Sequence, residues 1–274
     1  MNLNPYHFSM KVQGIDVHYE LYDRHSSKPV MVLIHGFLSS TFSYRRLIPL
    51  LMNEYRIIAI DLPPFGKSEK SLKFVYSYRN MAKVVIEVLE RLQVKKAVLV
   101  GHSMGGQISL IAAKENPELF DKVVLLCSSS YMKRVHPYLI LGSYIPYFHL
   151  YLKQWLAVQG VWKNLCNVVY DRSMIDQEMM DGYMQPFHDD RIFMALTRLI
   201  RDREGDMDPF ELKKIETPSL LIWGEEDKVV PVSVGRRLSK DLPNATFYSL
   251  KQTGHLVPEE KPDYVSERIF NFCV

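Results

Sequence analysis

The chain has 274 residues, of which 47% are hydrophobic and 24% are charged, an ordinary globular composition without a disorder signature. Its formal net charge is only +3, from 34 basic and 31 acidic residues, so neither nucleic acid nor an acidic partner is expected. Three widely spaced cysteines argue against a disulfide framework or a zinc site, and the polar N-terminus argues against a signal peptide, so we expect a cytoplasmic location.

The first predicted element is an edge hairpin, because apolar and polar residues alternate on either side of Gly14. Several later runs are apolar on consecutive residues, which is typical of parallel strands covered on both faces. Helical patterns lie between them, one capped by Ser77 and another over residues 107–114. The pattern predicts an α/β fold with a mostly parallel, doubly wound sheet of about eight strands. Predicted strands include residues 15–22, 30–34, 56–60, 97–100, 123–127, 219–223 and 246–250.

The alternation of strands and helices stops between residues 130 and 208, where Tyr, Met, Trp and Leu recur at helical spacing. It resumes at "TPSLLIWG", and the sheet would be incomplete without the strands that follow. We therefore predict a core of residues 1–129 and 209–274, with residues 130–208 inserted as a helical cap between strands 6 and 7. An independent second domain is the weaker alternative. No apolar span of about 18 residues occurs, so no transmembrane helix is predicted.

The stretch "KAVLVGHSMGGQ" joins a predicted strand to a predicted helix through Gly101-His102-Ser103-Met104-Gly105. In a G-x-S-x-G turn at this position, the serine is strained and its Oγ projects from the carboxyl edge of the sheet, where ligands bind. The backbone N–H of Met104 points the same way and can bind an oxyanion. A tight turn without chemistry is the alternative interpretation of the pentapeptide alone.

A reactive serine needs a base, and the base needs an acid that fixes its tautomer. Asp227 lies in the loop after a buried-type strand, and His255 lies in the loop after the last strand. The chain order Ser103, Asp227, His255 is the order expected of a triad on this kind of sheet.

With these residues the chain resembles the α/β-hydrolase fold family over nearly its whole length. The resemblance implies that Ser103 is the nucleophile, His255 the general base and acid, and Asp227 the orienting carboxylate. It also implies an oxyanion hole from the backbone N–H groups of Phe37 and Met104, and no metal or organic cofactor. The matching pieces are "HGF" at 35–37, "DLPPFGKS" at 61–68, "GHSMGG" at 101–106, "WGEED" at 223–227 and "GH" at 254–255.

The sequence departs from the family pattern at two loop positions. Pro64 stands where the family usually has glycine, and Leu38 stands where capped members often have proline. Both departures bear on loop shape and substrate preference, and neither position carries the chemistry.

Other acids and histidines compete for these roles. Asp61, Glu225 and Glu226 are alternative acids, but the family spacing favours Asp227. His35 and His102 flank the site and are expected to hold loops. The other histidines show no metal-ligand spacing and are expected on the surface or in the cap: His7, His18, His25, His136, His149 and His188.

The expected activity is hydrolysis of a small to medium carboxylic ester with an apolar part, through an acyl-enzyme. Thioester or C–C bond hydrolysis by the same triad, and a ligand sensor that retains the triad, are the alternatives. An epoxide hydrolase is disfavoured, since those enzymes usually place Asp at the position of Ser103. Membrane-surface contact by "YLILGSYIPYFHLYLKQW" is a further, less favoured interpretation of the cap. The apolar residues of the cap have two interpretations: most of them form the packed underside of the cap, and the rest line an acyl or alcohol pocket. No substrate-binding residue is assigned, and the candidates in the cap include Met174, Met179, Met180 and Met184.

Overall fold

One sheet of eight strands runs through the residues that the computed structural model describes, 5–23 and 27–273. The strands are β1 (Tyr6–Val12), β2 (Ile15–Tyr22), β3 (Val30–Ile34), β4 (Arg56–Ile60), β5 (Ala97–His102), β6 (Phe120–Leu126), β7 (Ser219–Gly224) and β8 (Ala245–Leu250). Their order across the sheet is β1-β2-β4-β3-β5-β6-β7-β8. Only the β1–β2 and β2–β4 pairs are antiparallel, so the predicted mostly parallel α/β fold is confirmed.

The edge hairpin forms as its alternating sequence predicts. Val12 pairs with Ile15, and the two residues between them, Gln13 and Gly14, have φ values of 49° and 81°. A two-residue turn with positive φ at both positions matches the twist of the strands that it joins. Glycine at the second position takes this conformation without steric cost.

Twelve α-helices connect or flank the described strands. The helix α2 begins after Ser77, whose hydroxyl accepts a hydrogen bond from the N–H of Asn80, and its apolar stripe is buried as predicted. The helix α3 begins at Met104 rather than at residue 107, because Ser103 is its N-terminal boundary residue. The helices are α1 (Ile48–Leu51), α2 (Tyr78–Arg91), α3 (Met104–Glu115), α4 (Pro137–Gly142), α5 (Phe148–Gln159), α6 (Val161–Val168), α7 (Gln177–Met184), α8 (Arg191–Asp202), α9 (Pro209–Leu212), α10 (Val232–Asp241), α11 (Val257–Glu260) and α12 (Pro262–Cys273).

Residues 130–208, called here the inserted segment, lie between β6 and β7 and contain α4 to α8 without a strand. The apolar face of α8 is buried in the main hydrophobic core. Leu165, Val169 and Met179 form a separate small cluster with Leu256, which follows the last strand. The segment therefore packs against the loop that carries His255. None of the helices described is long and apolar enough to cross a membrane.

Candidate active site

Ser103 occupies the sharp turn between β5 and α3. Its backbone has φ 52° and ψ −120°, an unfavourable conformation for any residue except glycine. A Cβ at Gly101 would overlap the carbonyl of Gly105, and a Cβ at Gly105 would overlap the carbonyl of Ile34. Glycine at these two positions therefore permits the close approach of α3 to β5 and β3, and this approach holds the serine in its turn.

Asp227 and His255 are paired beside this turn. Nδ1 of His255 lies 2.7 Å from Oδ2 of Asp227, while Oδ1 accepts hydrogen bonds from the backbone N–H groups of Val229 and Val230. Burial opposes ionisation of Asp227, but the hydrogen bond from His255 and the two N–H donors outweigh it and lower the pKa of the carboxyl. The acid is therefore ionised, and it orients the imidazole with Nδ1 as the donor.

Ser103 and His255 line the same cavity. Because Nδ1 is engaged by Asp227, Nε2 is the ring nitrogen left to accept a proton. Among the described residues no hydrogen bond joins the Ser103 hydroxyl to this ring, and such contacts often tighten only when substrate binds. Phe37 also lines the cavity, and the backbone N–H groups of Phe37 and Met104 donate to no described acceptor.

The alternative acids are engaged elsewhere. The Asp61 carboxylate accepts hydrogen bonds from the backbone N–H groups of Thr41 and Lys67, and it thereby shapes the loop after β4. Glu225 accepts a hydrogen bond from the Ser249 hydroxyl, and Glu226 accepts one from the backbone of Thr253. Of the candidate acids, Asp227 is the one that the structure brings to His255.

His35 and His102 hold loops around the cavity. His35 donates from Nδ1 to the carbonyl of Gly36, and its Nε2 accepts a hydrogen bond from the N–H of Leu62. His102 donates from Nε2 to the carbonyl of His255 at 2.8 Å. Burial lowers the pKa of His102 to about 3, so the ring is neutral and acts as a fixed donor to the loop of His255.

The cavity has a volume of about 340 Å³ and a largely apolar lining without a charged side chain among the described residues. The inserted segment supplies about half of that lining, but not through the methionines expected from the sequence. Met174, Met179 and Met180 belong to the small cluster under α6 and α7 instead, and Met184 is exposed. The lining residues from the inserted segment are Trp155, Leu156, Gln159, Val161, Asn164, Leu165, Val168, Tyr183 and Phe187.

A backbone link between the inserted segment and the His255 loop is a feature that the sequence did not predict. The N–H of His255 donates to the carbonyl of Val168 at 2.6 Å. The Glu260 carboxylate also bridges these two segments, because it accepts hydrogen bonds from the N–H of Gly254 at 2.9 Å and from the N–H of Tyr170 at 2.8 Å. No local sequence signal marks Glu260, since Tyr170, its partner in the inserted segment, lies 90 residues away in the chain.

We expect Glu260→Gln to lower kcat by about tenfold with a smaller change in KM, since hydrogen bonds to a charged acceptor contribute about 1.5–3 kcal/mol each. Glutamine has one carbonyl oxygen, so its amide N–H₂ would face one of the two N–H donors and loosen the His255 loop. Steady-state kinetics on a chromogenic ester measures the effect. Glu267→Gln on α12 is the matched control, because Glu267 is exposed and its one ion pair among the described residues is with Arg268. Equal kcat for Glu260→Gln and wild type would contradict the prediction.

Within the described ranges 5–23 and 27–273, two groups of side chains could hold a metal ion. Cys127, Asp227 and His255 are buried together, but the hydrogen bond between Asp227 and His255 already occupies their facing atoms. His7, His18 and Glu20 converge on the edge hairpin, where none of them lines the cavity. His18 is buried there, contrary to the expectation of a surface or cap position. His25 lies outside the described residues.

Comparison with known proteins agrees with this architecture. A family model described as "alpha/beta hydrolase fold" matches residues 29–195 and 143–262. The "Uncharacterized hydrolase YugF" of Bacillus subtilis (strain 168) is 62% identical over 261 residues, which cover 95% of each chain. A "2-hydroxy-6-oxononadienedioate/2-hydroxy-6-oxononatrienedioate hydrolase" of Paraburkholderia phymatum is 29% identical over 275 residues, covering 93% of this chain and 90% of that protein.

A solved structure shares the fold. The meta-cleavage product hydrolase of Pseudomonas fluorescens IP01 (CumD) superimposes with a TM-score of 0.80 at 22% identity, and the match covers 97% of each chain. At this identity the likeness concerns the fold alone.

Proposed function

This chain is a hydrolase of the alpha/beta hydrolase fold family, and on that premise we propose that it is a serine hydrolase of small to medium carboxylic esters with an apolar part. The observation that carries the proposal is the pairing of His255 with the ionised Asp227 beside Ser103, on one largely apolar cavity. A fluorophosphonate probe tests it directly. The expected result is a covalent adduct on Ser103, and labelling of any other residue would contradict it.

In the proposed reaction the Ser103 oxygen attacks the ester carbonyl while Nε2 of His255 accepts the hydroxyl proton. The carbonyl oxygen becomes an oxyanion, and the N–H groups of Phe37 and Met104 stabilise it. As the tetrahedral intermediate collapses, His255 returns the proton to the leaving alcohol and an acyl-enzyme remains. Water then attacks the acyl carbonyl while His255 accepts one of its protons. As the bond between the acyl carbon and the Ser103 oxygen breaks, His255 returns this proton to that oxygen, and the acid product is released.

We further propose that residues 130–208 act as a cap on a core of residues 1–129 and 209–274. Two observations support this role: about half of the cavity lining comes from this segment, and Val168 and Tyr170 are hydrogen-bonded to the loop and helix around His255. A cap that both shapes the pocket and supports the general base would couple substrate binding to catalysis.

The uncharged lining predicts a preference for neutral acyl groups. Transfer of an unpaired carboxylate into an apolar site costs several kcal/mol, so we expect kcat/KM for a neutral hexanoyl ester to exceed that for a carboxylated ester of equal length by at least about 100-fold. Matched p-nitrophenyl esters provide the measurement. Equal rates for the two esters would contradict an uncharged acyl pocket.

This prediction also bears on which relative the chain resembles in substrate. One relative is named as the hydrolase of a "dioate", which carries two carboxylates, and an uncharged pocket would disfavour such a substrate. C–C bond hydrolysis by the same triad remains an alternative to ester hydrolysis. Thioester hydrolysis uses the same residues, and a thioester and an oxygen ester with the same acyl chain distinguish the two activities. A ligand sensor that retains the triad would bind a small molecule with a large thermal shift but turn it over very slowly.

A further inference from the structure

The inserted segment carries an unusual concentration of exposed hydrophobic side chains. Eleven of the twenty-one large hydrophobic residues that are exposed in the described part of the chain lie between residues 138 and 162. Patches of this kind on a folded protein indicate an interaction with another protein or with a membrane. This aromatic patch consists of Tyr138, Leu139, Leu141, Tyr144, Ile145, Tyr147, Leu150, Tyr151, Trp155, Val158 and Trp162.

The helix α5 at the centre of the patch is apolar on two faces. Leu152 and Leu156 point towards the main core. Tyr151, Trp155 and Val158, spaced as one helical face, are 65%, 50% and 71% exposed. A helix of a water-facing surface carries polar residues on its outer face, so the outer face of α5 is suited to an apolar environment.

The charged residues within the segment that carries the patch are all basic, and one of them, Lys153 of α5, pairs with Asp190 at the start of α8. The chain contains 31 acidic residues, yet none lies between Asp121 and Asp171. The basic residues in this interval are Lys122, Lys133, Arg134, Lys153 and Lys163. Basic residues beside exposed Trp, Tyr and Leu side chains are the composition of segments that lie on anionic lipid surfaces.

Beside the patch lies a cleft of about 530 Å³, here called the cationic cleft. Lys163, Arg172 and Lys228 line it together with Trp162 of the patch, and no carboxylate is part of its lining. These three cations make no ion pair with any residue that the structure describes. An anionic group outside the protein is therefore the natural partner of this cleft.

The patch, the cationic cleft and the candidate active site are continuous. Trp155 belongs to the patch and also lines the cavity of Ser103. Gln159 and Asn164 line both the cavity and the cationic cleft. A surface that covers the patch and the cleft would therefore lie at the mouth of the cavity.

We propose that the aromatic patch and the cationic cleft dock this protein on an anionic lipid surface as a peripheral membrane protein. Tyr and Trp rings favour the boundary between headgroups and acyl chains, and the unpaired cations meet the headgroup charges. A second copy of the chain is a poorer occupant, because an isologous contact through this face would oppose cations with cations. The inference is independent of ester hydrolysis, because lipid binding is measured without turnover.

Co-sedimentation with vesicles tests the proposal. The full chain is expected to bind vesicles of equal parts phosphatidylglycerol and phosphatidylcholine, and to bind pure phosphatidylcholine at least about tenfold more weakly. Tyr151→Gln with Val158→Gln should lower binding to the anionic vesicles by at least about tenfold, because glutamine retains helix propensity but not apolar area. Lys163→Gln with Arg172→Gln should lower it by about fivefold for each charge removed.

Phe210→Gln is the matched control, since it removes an equally exposed aromatic side chain from α9 and should leave vesicle binding unchanged. A far-UV circular dichroism spectrum and a thermal unfolding midpoint equal to those of wild type show that each variant is folded. Failure of the wild type to bind anionic vesicles, or binding that neither double variant weakens, would overturn the proposal. So would a dimer that forms through the patch, is lost in Tyr151→Gln with Val158→Gln, and does not bind vesicles.

Discussion

Replacing Ser103 with alanine is expected to lower kcat/KM for a p-nitrophenyl ester by roughly 10⁴–10⁶-fold. The hydroxyl is the proposed nucleophile, so its removal takes away the oxygen that forms the acyl-enzyme. Stability should change little, because alanine meets the same backbone strain at φ 52° as serine does. The hydroxyl also makes no hydrogen bond to a described residue, so its removal leaves no buried partner unsatisfied.

The matched control is Ser109→Ala, six residues further along the chain on α3. Its buried hydroxyl donates to the carbonyl of Gly105 at 2.7 Å, so the substitution perturbs the same helix without touching the cavity. Wild type and Ser109→Ala should react with a fluorophosphonate probe, and Ser103→Ala should not. Retention of more than about a tenth of wild-type turnover by Ser103→Ala would refute the acyl-enzyme mechanism.

Asp227→Asn is expected to lower kcat by roughly 10⁴-fold. The backbone N–H groups of Val229 and Val230 both donate to Oδ1, so they would hold the asparagine carbonyl oxygen at that position. The amide N–H₂ would then face Nδ1 of His255 and force this nitrogen to become an acceptor. The ring proton would move to Nε2, and the imidazole could no longer accept a proton from Ser103.

The pH dependence of stability provides a second readout for Asp227→Asn. The folded state lowers the pKa of Asp227 from its ordinary value of 3.8, so its ionisation stabilises the protein above pH 3.8. This contribution is lost as the pH falls through the lowered pKa. The difference in unfolding free energy between wild type and variant should therefore shrink as the pH is lowered. A difference that grows in acid would contradict the assignment of an ionised Asp227.

Much of the fold follows from local patterns in the sequence. Mostly apolar runs rich in β-branched residues at 30–34 and 56–60 predicted strands with the bounds that the structure has, because strands buried on both faces tolerate almost no polar side chain. The cap at Ser77 and the buried apolar face of α2 could likewise be predicted from the sequence, since capping and helical periodicity are local effects. The predicted start of α3, at residue 107, was less accurate. The helix begins at Met104, because the strained turn at Ser103 passes directly into it.

Prediction from the sequence was less accurate wherever long-range packing determines the position of a side chain. The methionines of the inserted segment seemed suited to the pocket by type, but Met179 packs into the small cluster with Leu256 instead. His18 had no metal-ligand spacing along the chain. Antiparallel pairing of β1 with β2 nevertheless places His7 opposite Glu20, and both of these residues lie close to His18. Cross-strand neighbours of this kind depend on register, which a single strand does not reveal.

By itself the sequence determined the α/β architecture, the strained serine turn, and the order of Ser103, Asp227 and His255, because each rests on backbone sterics or short-range periodicity. Only the tertiary structure decided that Asp227 rather than Glu225 or Glu226 meets His255, and that Glu260 ties the inserted segment to the His255 loop. It also decided which face of α5 is exposed. These outcomes depend on how distant segments pack, and no local pattern encodes that arrangement.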